Sequence, residues 1–242
     1  MTVNVHKGFA LLGRRFVLRE LREAVRAVGA DLVFLQEIHG VQRGARMTGH
    51  AWLDVPHYEY LADQIWPDFA YGRNAVYTDG DHGNALLSKY PIEHSENLDV
   101  SAATHEKRGL LHCVLRLPRG DRIVHAICVH LGLKPSHRVR QLRQLCDFVN
   151  KVVPVREPLL VAGDFNDWRC LAHAPLRQCA GLGEVFVEAH GVAAKTYPAG
   201  FPLLRLDRIY VRSVSGHSPL ILPARPWNRL SDHAPIAAEL RL

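Results

Sequence analysis

The sequence predicts one layered α/β (α+β) domain spanning residues 1–242, and three observations predict it. Runs of strand length rich in Val, Ile and Leu recur from end to end. Amphipathic stretches of helix length stand between some of them, without strict alternation. No Ser/Gly/Pro linker, low-complexity tract or repeat of roughly 20–50 residues divides the chain. With 242 residues, 48% of them hydrophobic, the chain can bury a sizeable core.

Strands are predicted at 2–5, 31–37, 83–89, 109–117, 122–131, 158–163, 206–212 and 235–240, each apolar run bounded by Gly, Pro or Asp. A helix over 16–28 carries Leu18, Leu21, Val25 and Val28 on one stripe, with Arg and Glu opposite. A second over 136–150 directs Val139, Leu142, Leu145 and Val149 inward and Arg138, Arg140 and Arg143 outward. His57 to Ile65 reads as a shorter third. From 166 to 204 the periodicity is weak, which predicts a short helix and long loops.

Basic residues number 30 against 24 acidic ones, a net charge of +6, and only six of the 30 are Lys. Arg matches the oxygens of a phosphate with two parallel N–H groups, so this excess predicts a polyanionic partner, nucleic acid or anionic phospholipid. A GC-rich coding bias would enrich Arg equally well. No obligate protein partner is evident. No apolar run reaches the roughly 18–20 residues of a membrane span. The first residues, MTVNVHKGFALLGRR, lack the apolar core of a secretory signal, so a cytoplasmic protein is expected. The five cysteines, at 113, 128, 146, 170 and 179, contain no CxxC pair. That argues against a disulfide scaffold or a zinc site and reads Cys113 and Cys128 as buried thiols.

The chemistry lies in where the polar residues fall. Asn4 closes the first predicted strand, Glu37 the second, and His130 ends the AICVH run. Asp164 and Asn166 follow LLVAG in GDFND, Asp207 opens DRIYV, and Asp232 and His233 precede the last strand in SDHAPI. Singly, each is an ordinary cap, turn or surface residue. Together, side chains from several rigid strand ends can converge on one cleft. Such a set suits hydrolysis of a phosphate ester. Asn4, Glu37 and Asp232 would offer hard oxygens to Mg²⁺, with Mn²⁺ as substitute. Two histidines from different strands could divide the proton transfers, one of them oriented by Asp207.

The ordered motifs NVHKG, LQE, GNALLSKYPI, VHLGL, GDFND, LDRIYV and SDHAPI resemble those of the endonuclease/exonuclease/phosphatase superfamily, of the deoxyribonuclease I type. The resemblance covers essentially the whole chain and is nearest to small bacterial members. It implies a four-layer α/β/β/α sandwich of two mixed sheets, with the site at one end. By motif, Asn4, Glu37 and Asp232 resemble the family's metal ligands. Asp164 and Asn166 resemble its contacts to phosphate and nucleophilic water, and Asp207–His233 its water-activating pair. His130 resembles the histidine of the deoxyribonuclease and sphingomyelinase branches. Arg108 resembles a phosphate-contacting Arg, and Arg73, Asn74, Asn84 and Trp168 are expected to line the substrate groove. No carboxylate stands out to orient His130. Lys7–Gly8 lacks the glycine spacing of a phosphate loop, so a nucleotide P-loop is discounted. Trp52, Trp66 and Trp227 read as packing residues.

The resemblance implies a Mg²⁺-dependent phosphodiester hydrolase, with nucleic acid, DNA foremost, as the expected substrate. Its alternatives are a phospholipid or sphingomyelinase-like phosphodiesterase, which needs an apolar rim, and a phosphomonoesterase of the same superfamily. For that rim the sequence offers only the FPLLRL stretch at 201–206.

Overall fold

Period-two burial along the strands explains the architecture. In strand β2 (Leu32–Gln42), Val33 and Leu35 pack into one core cluster and Phe34 into another. In β8 (Leu159–Asp164), Leu159 and Val161 face one cluster while Leu160 and Ala162 face the next. Strands apolar on both faces need cover on both, and two sheets back to back with helices outside provide it. The computed structural model describes residues 1–10, 15–42, 55–78, 80–118 and 120–242. Trp52 lies outside them.

The first sheet has the order β11-β12-β1-β2-β4-β3. Its strands are β1 (Thr2–Asn4), β2, β3 (Asp68–Tyr77), β4 (Gly80–Ser88), β11 (Gly216–Ile221) and β12 (Ile236–Arg241). The second has the order β5-β6-β7-β8-β10-β9. It comprises β5 (Ile92–Asp99), β6 (Gly109–Leu117), β7 (Arg122–His130), β8, β9 (Gly183–Glu184) and β10 (Asp207–Arg212). Helices α1 (Leu18–Val28) and α2 (His57–Ala62) cover the first sheet through Leu18, Leu21, Val25 and Leu61. Helices α3 (Pro135–Val152) and α4 (His173–Ala180) cover the second through Leu142, Leu145, Val149 and Leu176. The third cluster lies between the sheets, around Phe34, Leu86, Leu111, Ala126 and Ile209. The result is the expected four-layer sandwich.

Four strands that the apolar runs do not mark, β3, β5, β9 and β11, are the outermost strands of the two sheets. Such strands carry fewer apolar residues, and β11 even has Pro219, because an open flank must resist pairing. The weakly periodic stretch folds as α4, α5 (Val185–His190) and loops. Two further readings change. Arg138 is buried and Val139 is 61% exposed, the reverse of expectation. The inward stripe is Arg138, Leu142, Leu145 and Val149, and Arg138 Nη1 donates to the carbonyls of Gly132 (3.1 Å) and Leu133 (2.6 Å). Although spacing argued against a disulfide scaffold, Cys146 of α3 and Cys179 of α4 are bonded, their Cα atoms 5.9 Å apart. Helix packing, invisible to motif spacing, brings them within bridging range. Cys113 and Cys128 are buried thiols, as expected.

Candidate active site

Register sets three of the polar residues in one row. Parallel pairing of β7 with β8 places His130 beside Asp164, and antiparallel pairing of β8 with β10 places Asp207 on its other side. Across the gap between sheets, Asn4 ends β1, and its Nδ2 donates to Asp164 Oδ2 (3.2 Å) and Glu37 Oε1 (3.4 Å). One amide thus ties a carboxylate of each sheet. Asn4 Oδ1 accepts from the His6 N–H at 3.0 Å. In this orientation Asn4 positions the two carboxylates and turns its oxygen, the expected ligand atom, toward the backbone.

Glu37 owes its aim to a bulge. The pairing of β2 with β4 slips between Leu35 and Ile38, and Glu37 takes a left-handed φ of 54°. An extra residue in one strand re-aims the side chains around it, and a non-glycine residue at positive φ costs about 1 kcal/mol or more. Gln36 consequently turns inward to donate to Thr2 Oγ1 and Cys128 Sγ. Asn166 is also left-handed, with φ 51°; its N–H donates to Asp164 Oδ1 (2.8 Å) and its Nδ2 to Leu131 O (2.9 Å).

The two histidines carry opposite electrostatics. His233 Nδ1 lies 2.9 Å from Asp207 Oδ2, and its Nε2 lies 3.9 Å from Asp164 Oδ2. Burial opposes charge on this ring, but Asp207, Asp164 and Asp232 together outweigh it and push its pKa up to about 10. His130 Nε2 is 3.6 Å from the same Asp164 oxygen. Its pKa is held well below the ordinary value by burial, then by Arg108, His233, His82 and Lys7. Burial raises Asp164 to about 6 even though His233 pulls the other way. Asp164 is the carboxylate that lies near both rings, without a hydrogen bond to either.

Asp164, Asp207 and His233 form the tightest acidic–histidine group among the described residues. The imidazole of that group is committed to Asp207, which leaves it less suited to hold a metal ion. A divalent cation fits better at Glu37. That carboxylate is half-buried, has the long Asn4 contact, and makes no ion pair among the described residues. Asp232, also half-buried, accepts from Ser231 Oγ at 3.3 Å and adds negative charge beside His233. Hard carboxylate oxygens without an ion-pair partner are the kind of donor that Mg²⁺ or Mn²⁺ prefers.

The expected groove residues divide. Arg108 lies close enough to depress both His130 and His82, and its Nε donates to Leu131 O at 3.0 Å. Arg73 is exposed at a bulge of β3, and Asn74 Oδ1 accepts from Asn97 at 3.0 Å. Trp168 is exposed on the loop after Asn166, with the Arg169 guanidinium 4.7 Å above its ring. Asn84 is not in the groove: it is fully buried and donates across the sheets to Gly109 O (2.9 Å) and Cys128 O (3.3 Å). It clamps the sandwich. Two residues escaped the sequence reading as site members. Lys7, left-handed at φ 58° just after Asn4, faces the histidines electrostatically, and Tyr197 packs its ring 5.1 Å from that of His233. Proximity to NV–K was the one available signal for Lys7; none existed for Tyr197.

Comparisons with known proteins give the family and the fold. The chain is 55% identical over 242 residues to the YbhP protein of Escherichia coli K12, covering 100% of this chain and 95% of that one. An endonuclease/exonuclease/phosphatase from Beutenbergia cavernae superposes with a TM-score of 0.78 at 20% identity, over 100% of this chain and 70% of that one. Danio rerio TDP2, solved with a single-strand DNA product, gives 0.63 at 20%, over 89% and 88%. The sequence pattern of the Endonuclease/Exonuclease/phosphatase family matches residues 1–233. The chain belongs to that family.

Proposed function

We propose that this protein is a divalent-metal-dependent phosphodiester hydrolase, and that its reacting groups are the strand-end residues gathered around Asp164. The carrying observation is the 2.9 Å Asp207–His233 pair set against Asp164 and the Asn4–Glu37 contact. Glu37 and Asp232 would hold the cation, with Asn4 positioning Glu37; the bound ion supplies positive charge for the phosphoryl oxygens. His233, oriented by Asp207, takes the proton from an attacking water. The imidazole must be neutral to do so, and positive charge brought to Glu37 and Asp232 works against the carboxylates that hold it protonated. Neutral His130, Asn166 and Arg108 offer N–H groups to the phosphate as its charge builds. Lys7, in the turn that follows β1, adds charge.

Nucleic acid is the substrate that the Arg-rich composition supports, and a relative of like fold was solved with a single-strand DNA product. One observation favours the second reading, a phospholipid head-group diester. Leu133, Trp168, Leu171, Phe201 and Leu203 are all exposed on the loops that continue from the site's strands. The test begins with bis-p-nitrophenyl phosphate. Hydrolysis should require Mg²⁺ or Mn²⁺, stop in EDTA, and fall about a thousandfold in Glu37→Gln. A Glu37→Gln enzyme of undiminished activity would sink the assignment. Duplex and single-stranded DNA, RNA, phospholipid and inositol phosphates then separate the substrate classes.

A further inference from the structure

We infer that the loops bordering the site form a docking surface for an anionic phospholipid bilayer. Three loops carry it: 131–134 after His130, 165–172 after Asp164, and 191–206 before Asp207. They are one continuous rim. Asn166 donates to Leu131 O, Phe165 N–H donates to Leu206 O, and Ala199 N–H donates to Asp232 O. The last loop doubles back on itself, with Tyr197 and Leu204 paired and Phe201 near its tip.

What this rim exposes is aliphatic and aromatic. Phe201 is 72% exposed, Leu133 67% and Leu171 61%, with Trp168 and Leu203 about half exposed. Single exposed apolar side chains are ordinary, but five on three adjoining loops at the catalytic end are a patch, and such patches mark contact surfaces. The charges on the same loops have one sign. Lys134, Arg169, Lys195 and Arg205 are their cations. Their only acid, Asp167, is buried and accepts from Ala172 N–H at 2.7 Å. Apolar tips with basic flanks and no exposed acid complement the head-group and upper acyl region of an anionic leaflet. Nucleic acid would be served by the cations and by Trp168, but Leu133, Leu171 and Leu203 neither neutralise phosphate nor stack on bases. The rim surrounds His130, Asn166 and His233, so seating it in a membrane would bring those groups to head-group depth. That consequence rests on the phosphodiesterase reading; the docking itself does not.

Binding is therefore measured in EDTA, without turnover. The full chain is mixed with vesicles of phosphatidylcholine containing phosphatidylglycerol, with vesicles of phosphatidylcholine alone, and with a duplex oligonucleotide. Trp66 and Trp227 are buried, so in a Trp52→Phe background Trp168 should dominate a blue shift in emission, and Trp168→Phe should remove that shift. The expected result is co-sedimentation with the mixed vesicles and weaker binding to the neutral ones. Phe201→Ser/Leu203→Ser, and separately Leu133→Ser, should weaken binding about tenfold or more while bis-p-nitrophenyl phosphate hydrolysis in Mg²⁺ stays as in the parent. Absence of vesicle binding, binding indifferent to these substitutions, or a Trp168 response to the oligonucleotide alone would each overturn the inference. If docking holds but no diester is cleaved, the phosphodiesterase reading fails by itself.

Discussion

At one end of the sandwich β1, β7, β8 and β10 present Asn4, His130, Asp164 and Asp207; toward the other, the same strands or the residues beside them present Met1, Val124, Leu160 and Ile209. The second end holds a cleft of about 570 Å³ lined also by Leu32, Phe34, Leu115, Leu117 and Leu240. A cleft of that size lined largely by apolar side chains is a place where a binding site would be sought. Yet two of its titratable neighbours are paired elsewhere, Asp31 with Lys89 and His217 with Glu188. At the candidate-site end the buried groups are polar and share partners: Asp164 alone meets Asn4, Asn166, His130 and His233. Convergence of buried polar groups, which costs stability to build, is the better sign of a reaction than volume is.

If this contrast is sound, the largest effects belong to the polar end. Asp207→Asn and His233→Ala should each cost about a thousandfold or more in kcat, and the double variant should be little worse than the worse single one. Multiplicative losses would separate the two residues and remove the proposed proton-handling pair. An NMR titration in EDTA gives a readout independent of turnover. Asp207 leads the charges that outweigh burial at His233, so Asp207→Asn should move the ionisation of that ring down from about 10. No movement would leave Asp207 a merely structural residue.

Much of this end was legible in the sequence because its residues stand at strand termini in a fixed chain order. Asn4, Glu37, His130, Asp164, Asp207 and Asp232–His233 each follow or precede an apolar run. What stayed illegible depended on packing across elements. Asn84 sits in a recognisable GNA motif, but only the sheet-to-sheet distance turns its amide into the core. Arg138 reads as a solvated helix face until the carbonyls of Gly132 and Leu133 supply its partners. The outermost strands lack an apolar period because one flank is never covered. The Cys146–Cys179 bond joins helices whose contact no local pattern announces.

That disulfide sharpens the comparison at intermediate size. It ties the middle of α3 to the end of α4, behind the 165–172 loop, and closes a loop of 33 residues. Constraining the unfolded chain in this way is worth about 3 to 4 kcal/mol. Cys146→Ser should lower stability to urea by that order, with a matching drop in the parent on reduction. Specific activity under folding conditions should change little, since the bond touches none of the reacting groups. A reduced protein of unaltered stability would mean that the bond constrains nothing.

The smallest effect is expected at the apolar end. Ala238 of β12 lines the cleft and is partly buried against the inter-sheet cluster. Ala238→Val adds two methyl carbons on a strand that favours β-branched side chains, facing space already available. At about 0.8 kcal/mol per buried carbon, less the strain of imperfect fit, a gain near 1 kcal/mol is expected. For a chain of this size that is a rise of about 2–4 °C in Tm. Thermal melts and diester hydrolysis should be measured on the same preparation. Ala238 pairs with Pro219 on the edge side of the first sheet, in the strand next to β1, which carries Asn4 at its end. A stabilised protein of unchanged kcat/KM would show that the two ends are energetically separate. A change in kcat/KM without a change in Tm would show the opposite: filling the cleft shifts β1, and the cleft is part of the machinery it was set against.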